Sequence, residues 1–509
     1  MGDSKVRIGR SVFLSYASIV FSILTGLLYT PWLIQELGSS DYAIYTICVS
    51  LMTYFTVDFG IGAAITRFVA KYRANNEEHK INGLLGIALK LYLVIDVIVM
   101  VALVIMYFLL EQVYVGLTVA ELQRLRVVFI ITGMMTVCCI PVMPLNGVFV
   151  AFGRVYEVKK FDLMQKALTV GLICLSLLTG SGLYVVVLIN AAVTVVINGI
   201  KLLTIHKQER VIPKLQTKDR QITKSLLTFS AWVAIAMIAD KFFFSFQPTL
   251  LGIFSDSTAI SVFAVATAIE GYILLFADGL NGIFLPHVTN LVVKKNDPKE
   301  ISDLMIRVGR VQMLIVSLFI MGIITQGKDF IPIWFGAEYK LAYYAAVIVL
   351  IPCFIHLTQS IATETLYATN QVRYRALSYT LSSTVNVILT ALLAPRLGAI
   401  GAAIGIACGF VVGHEVTLNV VYAKVLKLDL RRFFCQCHLK ALPWLLTMLA
   451  AGWGLAKIWP VAGRTQILLR CGTCGLVFLV LAYLLYINKD EKQYIKTLLG
   501  KLKGKLLRK

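Results

Sequence analysis

The chain has 509 residues, of which 58% are hydrophobic and only 15% charged, and its net charge is +21. A sequence of this length with so few charges cannot cover itself with a water-facing surface, which excludes a soluble enzyme. In a soluble protein this excess of positive charge would suggest nucleic acid as a partner. Here the basic residues flank long apolar runs, where they act as topology signals and lipid-headgroup contacts.

A hydrocarbon core about 30 Å thick needs roughly 20 apolar helical residues to cross it. Stretches of that kind recur along the chain and predict an all-α polytopic membrane protein with fourteen spans. The first is predicted at 11–34, behind Lys5, Arg7 and Arg10, and is too long for the hydrophobic region of a cleaved signal. On it Ser11, Ser15, Ser18, Ser22, Thr25 and Tyr29 follow a four-three spacing that keeps them on one face. That stripe either lines a hydrated passage or lets helices approach through small residues.

The second span, 41–62, opens just after Gly38-Ser-Ser-Asp41 and carries Asp58 near its end. Asp58 is a candidate for a coupling ion, but the glycines behind it also suit a carboxylate that caps backbone donors. Lys90 and Asp96 fall in the third span, 84–110, which the fourth follows at 127–150. The fifth, 161–179, offers Asp162, Lys166, Thr169 and Ser176, and the sixth runs over 183–205.

Beyond the basic stretch Lys201 to Lys224, the seventh span at 226–250 holds Asp240 and Lys241. Neighbours in a helix point about 100° apart, so these two need not pair. Glu270 and Asp278, two further coupling-ion candidates, lie in the eighth span, 258–284. The ninth and tenth are 311–327 and 341–361, with Glu364 just beyond. In the eleventh, 376–394, the polar theme returns as Arg375, Tyr379, Ser382 and Asn386, and the twelfth, 399–423, contains Glu415. The thirteenth and fourteenth, 441–459 and 467–487, precede a tail whose leucines and lysines suit an amphipathic helix on anionic lipid.

Lys and Arg concentrate in alternate connections, among them Arg67 to Lys80, Arg154 to Lys160 and Lys424 to Lys440. With an even number of spans, that bias places both termini in the cytoplasm. The outer connections are short, which leaves no room for a catalytic domain there. Two halves match at an offset of about 217 residues. Leu37–Tyr45 matches Ile253–Ser261, Asp58–Gly62 matches Asp278–Gly282, and Gly180–Tyr184 matches Gly398–Gly401. Six spans return the chain to its starting side, so the repeat is parallel. The expected division is a lobe at 1–205, a linker at 206–225, a second lobe at 226–424, two further spans within 425–487 and the tail 488–509.

A charge at the bilayer centre costs about 3 kcal/mol on insertion scales, so those that occur there face a cavity or a partner. Lys166, Lys241, Lys90 and Arg375 could form a cationic lining for an anionic headgroup. For Lys90 and Arg375 the competing reading is snorkelling to the interface. Ser15, Ser18, Ser22, Thr25, Tyr379, Ser382 and Asn386 complete the cavity candidates. The histidines and ten cysteines lack metal-ligand spacing, and no phosphate-binding loop is present. Neither a metal, a cofactor, ATP hydrolysis nor a nucleic-acid partner is therefore expected.

Gly38-Ser-Ser-Asp-Tyr-Ala-Ile-Tyr45, Asp58-Phe-Gly-Ile-Gly-Ala-Ala-Ile-Thr-Arg67 and Leu397-Gly-Ala-Ile-Gly-Ala-Ala403 resemble motifs of bacterial O-antigen and capsular oligosaccharide flippases. These belong to the multidrug, oligosaccharidyl-lipid and polysaccharide (MOP) exporter superfamily. The resemblance covers nearly the whole chain. It implies two six-helix lobes around a central cavity, alternating access, and transport rather than catalysis in the bacterial cytoplasmic membrane. The implied cargo is an oligosaccharide on undecaprenyl pyrophosphate. The implied partners are that lipid-linked oligosaccharide, membrane lipids, a polysaccharide polymerase and a chain-length regulator. Relatives that flip the peptidoglycan precursor carry arginines inside the first span, where this chain has hydroxyls. Two alternatives stand beside this reading: a multidrug antiporter, which wants an acidic cavity, and a glycan polymerase or ligase, which wants a large outer loop.

Overall fold

The computed structural model describes residues 18, 21–22, 24–55, 59–74, 77–209, 213–217, 219–294, 297–369, 371–488 and 492, without the side chains of 278–294 and a few other helical positions. All regular structure among these residues is helical. In chain order the α-helices are α1 (24–37), α2 (Ser39–Phe55), α3 (Ile61–Ala74), α4 (Ile81–Val113), α5 (Val119–Cys139), α6 (Leu145–Ala151), α7 (Val155–Leu178), α8 (Leu183–Glu209), α9 (Arg220–Ser245) and α10 (Gln247–Phe254). They continue as α11 (Ser257–Lys294), α12 (Pro298–Phe335), α13 (Lys340–His356), α14 (Ser360–Ala368), α15 (Val372–Leu397), α16 (Ala399–Gly409), α17 (Asn419–Lys424), α18 (Leu430–Phe433), α19 (Leu442–Ile458) and α20 (Arg464–Leu485).

Eleven of the described helical segments are long and apolar enough to cross a bilayer. They coincide with the expected spans three to six and eight to fourteen. The other three expected spans fall on α1, with residues 18 and 21–22 described ahead of it, on the 17-residue α2, and on α9, which carries Asp240 and Lys241. α4 has the surface of a lipid-facing helix. Val97, Ile98, Val101, Val104, Ile105 and Phe108 are exposed along it at helical spacing, an apolar stripe that only lipid can cover at no cost. The protein is thus a multi-pass, all-helical membrane protein.

The chain forms two compact units. One comprises Met1–Tyr272 with Asn370–Leu418, and the other Ile273–Thr369 with Asn419–Lys509. In the first unit, Thr118 caps α5 in a reciprocal box with Glu121. Glu121 also accepts from Ser40 at 2.7 Å, and Arg124 pairs with Asp41. The Gly38-Ser-Ser-Asp motif is therefore a clasp between the start of α2 and the start of α5. Its counterpart in the second half, Asp256, accepts from the Ala259 amide at 2.7 Å at the start of α11. Gly38, Gly180 and Gly398 all have positive φ (79°, 81° and 52°), a conformation a side chain would strain. Gly180 and Gly398 occupy matching turns, between spans five and six and between spans eleven and twelve.

The seam between α15 and the α16 segment is built on close backbone approach. A Cβ on Gly405 would lie 2.3 Å from Thr390 Oγ1, and one on Gly409 2.7 Å from the Ser382 carbonyl. Beyond Gly409 the helix widens into a π-type stretch, Phe410–Leu418, whose Gly413 carbonyl accepts from Ser378 at 2.8 Å.

In the second unit, α12 is the post against which α19 and α20 pack. Two arginines fix them. Arg310, expected at the end of a basic connection, instead lies within α12 and is buried. It donates to the carbonyls of Gln436 (3.0 Å) and Tyr486 (2.9 Å) and sits 4.5 Å over the Tyr486 ring, itself stacked on Trp444. Arg470 of α20 is fully buried, donating to Asp329 of α12 at 2.6 Å and to the Trp459 carbonyl at 3.1 Å. Gln326 donates to the Gly452 carbonyl at 2.9 Å on the same face.

Two stability predictions follow from this packing. The Arg470 side chain is 0% exposed and that of Asp329 is 46% exposed. Asp329→Ala therefore leaves a buried cation uncompensated and costs on the order of 3 kcal/mol, whereas Arg470→Met leaves a carboxylate that water still reaches and costs less. Thermal unfolding of the purified protein in detergent reads the difference, and equal losses would contradict it. Gly405→Ala in the seam loses about 1 to 3 kcal/mol by overpacking. Gly472→Ala, inside α20 with nothing within 4 Å of the added carbon, shows no loss by the same assay.

Candidate functional site

The first-span stripe and the fifth span meet within the first unit. Lys166 of α7 donates to Ser22 Oγ at 2.7 Å, and Ser22 donates in turn to the Ser18 carbonyl at 2.7 Å. Two turns further on, Tyr29 lies within electrostatic reach of Cys174 on α7 and of Tyr42 and Tyr45 on α2. Thr25 lies between these levels, half-buried. One turn from Ser22 and beside the stripe, Gly26 allows close approach to the Tyr272 ring, whose hydroxyl bonds Thr30. The side of α1 that carries the stripe therefore meets a lysine at Ser22 and, one turn further on, the packed Tyr272 ring. Ser15 lies outside the described residues, as do Asp58 and the Asp278 side chain.

The eleventh-span stripe is enclosed by protein. Ser383 donates to the Ala239 carbonyl at 2.7 Å and Asn386 to the Phe243 carbonyl at 3.1 Å, tying α15 to α9. Ser382 is 3.3 Å from His414 Nδ1, and the Tyr379 ring meets His414 edge-on at 4.7 Å. Ser382, Asn386 and Tyr379 are all buried. In this arrangement their polar atoms serve helix-to-helix contacts, the small-residue alternative for such a stripe.

The charged candidates sit around that seam and on α4. Arg375 donates to Tyr379 Oη at 3.1 Å with its guanidinium 5.0 Å over the ring. Asp240 lies within electrostatic reach of Arg375 and of Lys241, so the three form one charged group at the α9–α15 contact. Lys90 donates to the Thr217 carbonyl at 2.9 Å, pinning the segment before α9 against α4. Lys90, Arg220 and Lys224 border an open groove of about 1020 Å³, with Asp219 also in its lining. Glu270 of α11 is buried at 4% exposure, and its Oε1 has no hydrogen-bond partner among the described residues.

A further polar system runs along α8, where Asn190, Thr194, Asn198 and Lys201 recur at four-four-three spacing. Asn190 donates to Tyr45 Oη at 3.2 Å, Thr194 accepts from Gln165 at 3.0 Å, and Asn198 donates to Cys139 Sγ at 3.4 Å. Lys201, 4% exposed, donates to Asn146 Oδ1 at 3.2 Å and Asp162 Oδ1 at 3.3 Å. Its lower rungs border a cavity of about 540 Å³ between α3, α6, α7 and α8. Sequence reasoning placed Lys201 at the start of a basic connection and missed this ladder, although its helical spacing was there to be read.

The comparisons agree with this architecture. The profile of the polysaccharide biosynthesis protein family matches residues 8–284. The "Probable low-salt glycan biosynthesis flippase Agl15" of Haloferax volcanii is 22% identical over 191 residues, 38% of this chain. That match spans 40% of the relative's own length. The solved structure "Lipid II flippase MurJ, inward closed conformation" superposes with a TM-score of 0.70 at 13% identity, covering 96% of this chain and 99% of that one. An inward-facing multidrug resistance MATE family transporter of the MOP superfamily gives 0.65 at 13% identity, covering 83% of this chain and 99% of that one. At such identities these likenesses establish the fold alone. With more than half of its length matched by the family profile, the chain belongs to the polysaccharide biosynthesis protein family.

Proposed function

We propose that the protein is a flippase that carries undecaprenyl-pyrophosphate-linked oligosaccharide from the cytoplasmic to the outer leaflet for surface polysaccharide assembly. In this reading it is a transporter and not an enzyme, lies in the bacterial cytoplasmic membrane with both termini inside, and works beside a polymerase and a chain-length regulator. The observation that carries it, beside family membership, is the Lys166–Ser22 hydrogen bond, which puts an ammonium group against a row of hydroxyls. An amphiphile with a pyrophosphate and sugars needs both kinds of group, while its lipid tail stays in the bilayer. Lys166 and Lys241 attract the pyrophosphate, with Arg375 and Lys90 at the approach. Ser18, Ser22 and Thr25 contact sugar, and the halves of the parallel repeat, 1–205 and 226–424, alternate access.

Moving two negative charges outward across an inside-negative membrane releases about 4 to 5 kcal/mol per 100 mV. The potential alone can then drive the flux. Replacing Lys166 and Lys241 together by Ala lowers surface glycan at least tenfold while the protein still accumulates in the membrane. Normal glycan display by that double variant would remove both lysines from the mechanism.

A second reading, cation-coupled multidrug antiport, is favoured by Glu270, a buried carboxyl of the kind that can carry a proton. Reconstituted vesicles separate the two. The flippase reading expects transport that slows when the potential is collapsed, persists without a pH gradient and is unchanged by Glu270→Gln. Antiport expects the pH gradient and Glu270 to be indispensable.

A further inference from the structure

The cavity beside α8 differs in chemistry from the Lys166 region. Its one cation, Lys201, is buried and already faces the Asp162 carboxylate at 3.3 Å, so the pair brings no net charge. A phosphate would meet Asp162 as a like charge, and an organic cation would find neither a free carboxylate nor an aromatic ring among the lining residues. What remains is amide: Asn146, Gln165 and Asn198 all border the space. Each commits one end of its carboxamide to the protein, through Lys201, Thr194 and Cys139 respectively. The other end of each has no protein partner among the described residues, so the cavity offers both donors and acceptors.

Unused donors and acceptors side by side suit a ligand whose own groups do both, that is, hydroxyl and acetamido groups. The apolar wall of Val142, Met143 and Leu145 suits the C–H face of a pyranose ring. The volume, about 540 Å³, is that of a small-molecule site. We infer that this cavity is a subsite for an uncharged sugar of the cargo, held by Gln165, Asn198 and the Lys201–Asp162 pair, while the phosphates bind elsewhere. The inference rests on the flippase reading, and in the proposed orientation the subsite lies at the cytoplasmic ends of its helices, where cargo is loaded.

The test uses the full chain in lipid nanodiscs and two probes, farnesyl pyrophosphate and the same lipid bearing a neutral acetamido disaccharide. Wild type binds the glycosylated probe more tightly. Gln165→Leu and Asn198→Leu each weaken that binding about tenfold and leave the bare lipid unaffected, with unchanged thermal midpoints showing that the variants are folded. Equal wild-type affinity for the two probes, or a variant loss common to both, would overturn the subsite. The charge-neutral double change Lys201→Met with Asp162→Asn keeps affinity for the bare lipid, and a loss there would mark a phosphate site instead. Vesicles that bind the glycosylated probe through its sugar but do not translocate it would overturn the flippase reading and leave the subsite standing. Translocation without sugar-dependent binding would do the reverse.

Discussion

Hydrocarbon offers no hydrogen bonds, and each polar atom within it must be answered by another part of the protein or by the cargo. That constraint sorts the side chains of this molecule. The backbone is helical because helices satisfy their own amides and carbonyls. Helix ends near the surface are closed by clasps such as Thr118–Glu121 and Asp41–Arg124. Polar side chains inside the spans then divide into those that finish their bonding on neighbouring helices and those that leave something over.

The α15 seam belongs to the first kind. Ser383 and Asn386 bond main-chain carbonyls of α9, and Ser378 bonds the Gly413 carbonyl, where glycines let the helices come close. Arg310 likewise ends on carbonyls and a tyrosine ring. The second kind comprises Lys166, exposed and held by one serine, Glu270 with an unbonded oxygen, and the amides along α8. Groups left partly unsatisfied in an apolar setting are where a transported molecule can earn its binding energy.

Much of this was readable in the chain. Helix class, alternating basic connections and the polar face of the first span follow from periodicity, because lipid penalises any other arrangement of charge. Gly180 and Gly398 were legible as matching turns, since only glycine takes their positive φ at no steric cost. Less legible was whether a stripe faces a passage or a partner. The spacing on α15 looks like that on α1, and only the position of α9 and of Gly405, Gly409 and Gly413 decides that Ser382 and Asn386 are enclosed. Arg310 and Lys201 were misplaced for a related reason. Each sits where a span begins or ends, and sequence alone cannot tell a snorkelling cation from one that turns inward to a carbonyl or a carboxylate.

The buried Arg470 also bears on how the chain enters the bilayer during synthesis. A guanidinium stays protonated at any physiological pH, and placing one in the second turn of a spanning helix raises the cost of threading that helix into lipid, by up to about 3 kcal/mol were it at the bilayer centre. Its partner Asp329 belongs to α12, which leaves the ribosome well before α20. The acid is therefore in place when the arginine arrives, and the last helix is handed from the translocon to a waiting counter-charge instead of to bare lipid.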